Sequence, residues 1–268
     1  MRRVVITGLG MITPVGIGWR ESWSALLAGR SGIAPVASFD TSVFPVHLGA
    51  EVKGFHPERF LRRQSPENMG RSSQLAVAAA RMALEDSSLD AAANARRIGV
   101  SMGTTSGEPQ FVERYNDVRK AEGLEAIPGP MLPRYPCNMI PSHVAAEFGL
   151  RGPSLMIPTA CAAGNYAIGY GFDLIRSGRV DAMLAGGADA FSRITYMGFA
   201  RLGAIAKERC QPFDRNRKGM VPGEGAAILV LEEAAAATAR GAKIYAEVLG
   251  YGISCDAHHM TEIGRAHV

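Results

Sequence analysis

Five short apolar runs separated by helical patterns constrain this chain more than any other feature. Residues 3–10, 97–103, 155–158, 182–187 and 226–231 each have the length and composition of a buried strand. Between them apolar residues recur at helical spacing. Trp19, Trp23, Leu26 and Leu27 precede a closing Gly29, and Leu75, Ala79, Met82 and Ala83 follow a candidate cap at Ser72-Ser73. A further helix runs through Val144 to Phe148, after a loop marked by Pro128, Pro130, Pro133 and Pro136. Strands alternating with helices predict an α/β fold, with helices layered on a sheet. At 268 residues there is enough chain for one large domain or two modest ones.

The third run leads into the segment with the most chemistry. Leu155-Met156-Ile157-Pro158 reads as a strand, and Thr159-Ala160-Cys161-Ala162-Ala163-Gly164 turns it into a helix starting at about Cys161. That helix continues through Ile168, Phe172, Leu174 and Ile175, with Gly178 as a left-handed C-terminal stop. A thiol in the first turn of a helix sits among unpaired backbone N–H groups at the positive end of the macrodipole. Such a setting favours the thiolate, the nucleophilic form. The same donors can receive the oxyanion formed when sulfur attacks a carbonyl. A free cysteine is also an ordinary small core residue, so the turn alone leaves both roles open for Cys161.

Composition excludes several classes. Hydrophobic residues make up 47% and charged residues 20%, an ordinary globular balance. No apolar run reaches membrane-spanning length, and the N-terminal Arg2-Arg3 is not followed by the long apolar core of a signal peptide. Cys137, Cys161, Cys210 and Cys255 are widely spaced, which suggests neither a zinc site nor a disulfide framework and points to a reducing cytoplasm. The net charge of +4 matches a local excess, with Arg201, Lys207, Arg209, Arg215, Arg217 and Lys218 against Glu208 and Asp214. This is a solvated face or a landing patch for an acidic partner. No recognition motif or stacking aromatic pattern accompanies it, so a nucleic-acid partner is not expected.

Gly8-Leu9-Gly10 invites a dinucleotide-binding reading, but the fingerprint needs a third glycine where Thr13 stands. The glycines are expected to form a strand-end turn instead. The pattern returns late in the chain. Val5-Ile6-Thr7-Gly8-Leu9-Gly10-Met11 is echoed by Glu247-Val248-Leu249-Gly250-Tyr251-Gly252-Ile253, suggesting that a second, similar half opens there.

Taken in order, several segments resemble the β-ketoacyl-acyl-carrier-protein synthases, and in particular the elongating, type II subgroup. They are Val4-Val5-Ile6-Thr7-Gly8-Leu9-Gly10, Leu150-Arg151-Gly152-Pro153-Ser154 before Thr159-Ala160-Cys161, and Ala185-Gly186-Gly187-Ala188. Pro212-Phe213-Asp214, Gly223-Glu224-Gly225-Ala226, Lys243-Ile244-Tyr245-Ala246-Glu247 and Asp256-Ala257-His258-His259-Met260-Thr261 continue the series. The resemblance spans residues 1 to about 261.

It implies a thiolase-like α/β fold: a complete first half, βαβαβαββ, over 1–242 and the first strand of the second half over 243–261. It also implies a decarboxylative condensation of an acyl-enzyme thioester with malonyl carrier protein, without a cofactor or metal. Cys161 is then the acyl-accepting nucleophile. Phe199 is a candidate wall of the acyl channel, or a plain core residue. His259, which matches the family position where His258 does not, is a candidate gate contact. Acyl carrier protein is the implied partner and a homodimer the implied assembly of the full-length enzyme. The family often carries several basic residues before its second helix, near the carrier-protein site; here Arg62 and Arg63 are basic but Glu67 and Asn68 are not.

The family's catalytic histidines lie in His-Gly-Thr and Gly-His motifs of the second half. None of His47, His56, His143, His258, His259 and His267 lies in such a motif. This chain is therefore expected to be a fragment that cannot condense. Its tail, 262–268, has no family counterpart, and 263–268 can be back-translated to a common sequencing-adapter sequence, which suggests a truncated gene read into adapter. A polyketide ketosynthase and an inert, binding-only fragment are the alternatives.

Overall fold

A computed structural model describes residues 1–255 and 257. The chain begins with β1 (Val4–Thr13), β2 (Gly16–Ile17), α1 (Trp19–Leu27), β3 (Ala34–Pro35), β4 (Leu48–Gly49) and α2 (Arg71–Ser87). It continues with β5 (Ile98–Gly103), α3 (Pro109–Glu122), α4 (Met139–Phe148), β6 (Ser154–Ile157), α5 (Ala163–Arg176) and β7 (Ala182–Asp189). It closes with α6 (Arg193–Arg201), β8 (Gly225–Glu233), α7 (Ala234–Ala239) and β9 (Ala246–Val248).

The main sheet has the order β2-β1-β8-β7-β5-β6, and β9 joins the same edge of β1 as β2. β5, β6 and β7 are parallel, whereas β8 is antiparallel to both β7 and β1. With the two-residue strands and helices α1, α3 and α6 set aside, the chain order through β8 is the expected βαβαβαββ. The two faces are covered by different helices. Val100, Met102, Leu184, Ile228 and Val230 face a core built with α2 and α4. Met183, Ala185 and Leu231 face Phe172, Leu174 and Ile175 of α5. Successive β7 residues thus alternate between the two cores, as strand geometry requires.

β1 does not end at its glycines; it runs on to Thr13. A Cβ on Gly8 would lie 2.2 Å from the carbonyl oxygen of Ala83, and one on Gly10 1.8 Å from that of Ala79. Glycine is needed there because α2 lies against the strand backbone, and not because the chain turns. The late echo also differs: β9 covers only Ala246–Val248, and 249–255 form no strand. That segment instead lays Tyr251 on α5. The Tyr251 hydroxyl donates to Asp173, and its ring meets that of Phe172 edge-on at 6.4 Å.

Two local expectations change as well. α2 is preceded by Gly70, and Ser72-Ser73 lie inside its first turn and do not cap it. Their N–H groups donate to the buried carboxylate of Glu108, at 3.1 and 2.8 Å. The stretch after β5 contains α3 before the proline-rich loop begins. α3 escapes an apolar-periodicity reading because only Pro109 of its fourteen residues is buried.

Candidate functional site

The parallel strands place the chemistry at their C-terminal ends. β6 stops at Ile157, and Pro158 follows with no N–H to continue the ladder. Thr104, just past β5, donates its N–H to the Ile157 carbonyl at 3.3 Å and ties the two strand ends together. The chain then reverses through a 3-10 turn, Ala160–Ala162, and α5 starts at Ala163. Cys161 thus lies in the turn that leads into the α-helix, one step earlier than the sequence suggests. It is exposed.

Two features hold the turn. Ala160, immediately before the thiol, has φ 54°, a left-handed conformation that costs a non-glycine residue about 1 kcal/mol or more. Beneath it, glycines let backbone meet backbone. A Cβ on Gly103 would lie 2.2 Å from the carbonyl carbon of Ala163, and one on Gly187 3.5 Å from Cα of Gly164. The start of α5 therefore rests directly on the ends of β5 and β7. No side chain caps α5, and among the described residues the Cys161 N–H has no backbone acceptor outside its own turn. The thiol and an available N–H donor share one exposed corner, the arrangement needed to attack a carbonyl and hold the resulting oxyanion.

Asp189, which ends β7, was not among the sequence candidates. Its carboxylate accepts from the Thr104 hydroxyl at 2.8 Å and from the Thr105 and Ser106 N–H groups at 2.8 and 3.2 Å. Burial raises its carboxyl above the ordinary range, against the opposing pull of these hydrogen bonds. It fixes the loop leaving β5 beside the Cys161 turn. The available signal was an acid directly after Gly186-Gly187-Ala188 at a strand end.

Phe199, on α6, is half-buried and packs against a cluster of Val46, Phe191, Tyr196 and Ile205. His259 and His258 lie outside the described residues. His267 also lies outside them; of the described histidines, His47 bonds Thr41, His56 approaches Glu58 and His143 bonds Gln64, and none of these three bonds into the Cys161 turn. The basic side chains between Arg201 and Lys218 are exposed. Arg62 and Arg63 are exposed too, with their backbone N–H groups held by the buried Glu147 carboxylate. Among the described residues no group of three or more His, Cys, Asp or Glu side chains is placed to hold a metal ion.

This fold has known counterparts. The family described as beta-ketoacyl synthase, N-terminal domain, matches residues 1–237. The chain belongs to the β-ketoacyl synthase family. A 3-oxoacyl-(acyl-carrier-protein) synthase 2 of Vibrio cholerae serotype O1 is 42% identical to this β-ketoacyl synthase chain over 270 residues, covering 97% of the chain and 65% of the relative. Among solved structures, the ishigamide ketosynthase/chain length factor superposes with a TM-score of 0.93 at 44% identity, covering 96% of this chain and 65% of that one. A type II polyketide ketosynthase, bound to its acyl-carrier protein and to the hexaketide, gives 0.85 at 31% identity, covering 98% and 65%. The fold is thus the thiolase-like fold of the ketosynthases. The β-ketoacyl synthase chain spans just under two thirds of the length of these relatives.

Proposed function

We propose that Cys161 accepts an acyl group from an acyl-carrier-protein thioester, the first half of a β-ketoacyl synthase reaction. The observation that carries this reading is the exposed Cys161 at the positive-φ turn into α5, beside its own available N–H. The sulfur adds to the thioester carbonyl and the oxyanion takes the Cys161 N–H. Collapse then breaks the carrier's C–S bond, and the carrier leaves as its thiol with the proton given up by Cys161. In the complete reaction the enolate from decarboxylated malonyl carrier protein attacks the Cys161 thioester. A carbon–carbon bond forms, the C–S bond to Cys161 breaks, and CO2 is the other product.

Phe199 is assigned to the acyl channel; its half-buried place on α6, next to exposed Met197 and Gly198, supports that role. His259 is assigned to the substrate gate on the resemblance alone. Partition into a first half over 1–242 and the opening of a second over 243–261 is likewise our reading, supported by the closed βαβαβαββ order. A homodimer is supported by β6, an outer strand paired only with β5 among the described residues, whose other edge is open to a second copy. We assign the chain to the cytoplasm; its four cysteines are unpaired, and no described helix is long and apolar enough to cross a membrane.

Incubating the chain with an acyl-carrier-protein thioester and mapping the adduct by mass spectrometry tests the proposal. An acyl group on Cys161 supports it; an unmodified Cys161 beside an active control synthase overturns it. No β-ketoacyl product is expected from this chain alone, because none of the described histidines bonds into the turn to stabilise an enolate. A polyketide role is the second reading. The TM-score of 0.85 to the type II polyketide ketosynthase, at 31% identity, favours weighing it. Comparing acylation rates with carrier proteins of the two pathways separates them.

A further inference from the structure

The opposite end of the sheet carries a second concentration of chemistry. A cleft of about 570 Å3 opens between the 3-10 turn Ala95–Arg97 and the C-terminal end of α4. Arg63, Arg96 and Arg151 line it, and no acid does. Among the described residues none of their three guanidinium groups has a carboxylate within salt-bridge distance, unlike Arg2, Arg71, Arg81, Arg97 and Arg240. The acids nearest Arg96 and Arg151 in sequence are already engaged. Asp90 accepts from the Ala92 and Ala93 N–H groups, and Glu147 from Arg81 and the loop at Arg62.

The frame is rigid and its walls are small. The Arg151 N–H donates to the Ala95 carbonyl at 2.8 Å, fastening the two rims together. The neighbouring Arg97 is clamped by Asp181 at 2.7 Å. Ala92, Ala93, Ala145 and Ala146 leave the space between the arginines open. Gly149, at φ 68°, lets the Arg63 guanidinium rest close against the chain, where an added Cβ would come within 2.6 Å of it. Arg63 thereby meets the partial negative charge at the end of α4.

We propose that this cleft binds a small phosphate-bearing molecule. Guanidinium groups match phosphate oxygens in pairs, and gathering three cations around one concave site without an acid is repulsive until an anion enters. The cleft lies before the first residues of β5 and β6, whereas Cys161 follows their last. About 20 Å of strand separates the two ends, so the ligand is not the group transferred at Cys161. The inference stands apart from the acyl-transfer reading.

Calorimetric titration of the 268-residue chain with inorganic pyrophosphate, and in parallel with a nucleoside diphosphate, tests it. Saturable one-site binding is expected, weakened at least tenfold in the Arg96→Gln/Arg151→Gln double variant and unchanged in Arg176→Gln, which lies outside the cleft. Circular dichroism and melting of the exposed-site variants control for folding. Tighter binding of the nucleoside diphosphate than of pyrophosphate would identify an organic phosphate; equal binding would identify the phosphate alone. Equal affinities in wild type and double variant, no saturable binding of either probe, or Arg96/Arg151-dependent binding of acidic carrier protein only would each overturn the proposal.

Discussion

Helices α2 and α5 lie on opposite faces of one sheet, and their N-termini are treated in opposite ways. The first turn of α2 is closed by a buried carboxylate: Glu108 accepts from the N–H groups of Ser72 and Ser73 and from the Ser73 hydroxyl. The first turn of α5 has no side-chain cap and opens at an exposed cysteine. Both ends present the same orphan donors. At α2 they are spent on stability; at α5 they remain available for a charge that exists only during reaction. Reactivity here comes from withholding a cap.

The largest effect is expected at the open end. Cys161→Ala should abolish the acyl adduct seen by mass spectrometry while leaving the melting temperature nearly unchanged. Gly103→Ala comes next, because its Cβ has only 2.2 Å to the Ala163 carbonyl carbon. Overpacking of this kind costs about 1–3 kcal/mol, and the acylation rate per folded molecule should fall at least tenfold as the Cys161 turn is displaced. Gly10→Ala makes the matching intrusion on the α2 side, 1.8 Å from the Ala79 carbonyl oxygen. It should lower the urea-derived stability by a similar amount without changing acylation per folded molecule. Equal acylation losses in the two glycine variants would break the comparison between the faces.

Glu108→Ala should cost about 1–3 kcal/mol, the price of leaving buried N–H groups unpaired, with acylation per folded molecule preserved. Glu108 also gives a pH signature. Burial raises its carboxyl in the folded chain, so over the window above the ordinary carboxylate range the folded state binds more protons than the unfolded state. Its contribution is complete below the unfolded value and is lost as pH rises through the raised one. The difference in urea-derived stability between wild type and Glu108→Gln should therefore shrink with rising pH across that window; a difference that grows would contradict it. The smallest effect belongs to Ala160→Gly, which should raise stability by no more than about 1 kcal/mol by relieving the positive φ, leaving Cys161 acylation within a few-fold.

What the sequence makes legible is what neighbouring residues decide. The strands through Val100, Leu184 and Val230, the Gly178 stop and the turn at Cys161 all follow from local pattern, and the motif order identifies the family. What it hides depends on distant partners. Gly8 and Gly10 read as a turn until α2 is laid on them. Glu108 sits 35 residues from the Ser73 it caps, and Asp189 more than 80 from the loop it holds. The echo at 247–253 repeats the strand pattern of β1, yet Gly250 and Gly252 have nothing within 4 Å of an added Cβ. Without a helix pressing on it, the same alternation gives a three-residue strand and a loop.

The position of β8 has a consequence for synthesis. It lies between β1 and β7, with Val4 opposite Glu233, so the first strand to leave the ribosome waits for one made more than 200 residues later. At about 5–20 residues per second, β1 spends on the order of 10–50 s with its central edge unsatisfied. For most of that interval, once residues 71–87 have been made, α2 is already available to cover one face of it. The glycines that seat α2 on β1 therefore serve the nascent chain as well as the finished one, letting a helix cover one face of the strand before its edge is paired.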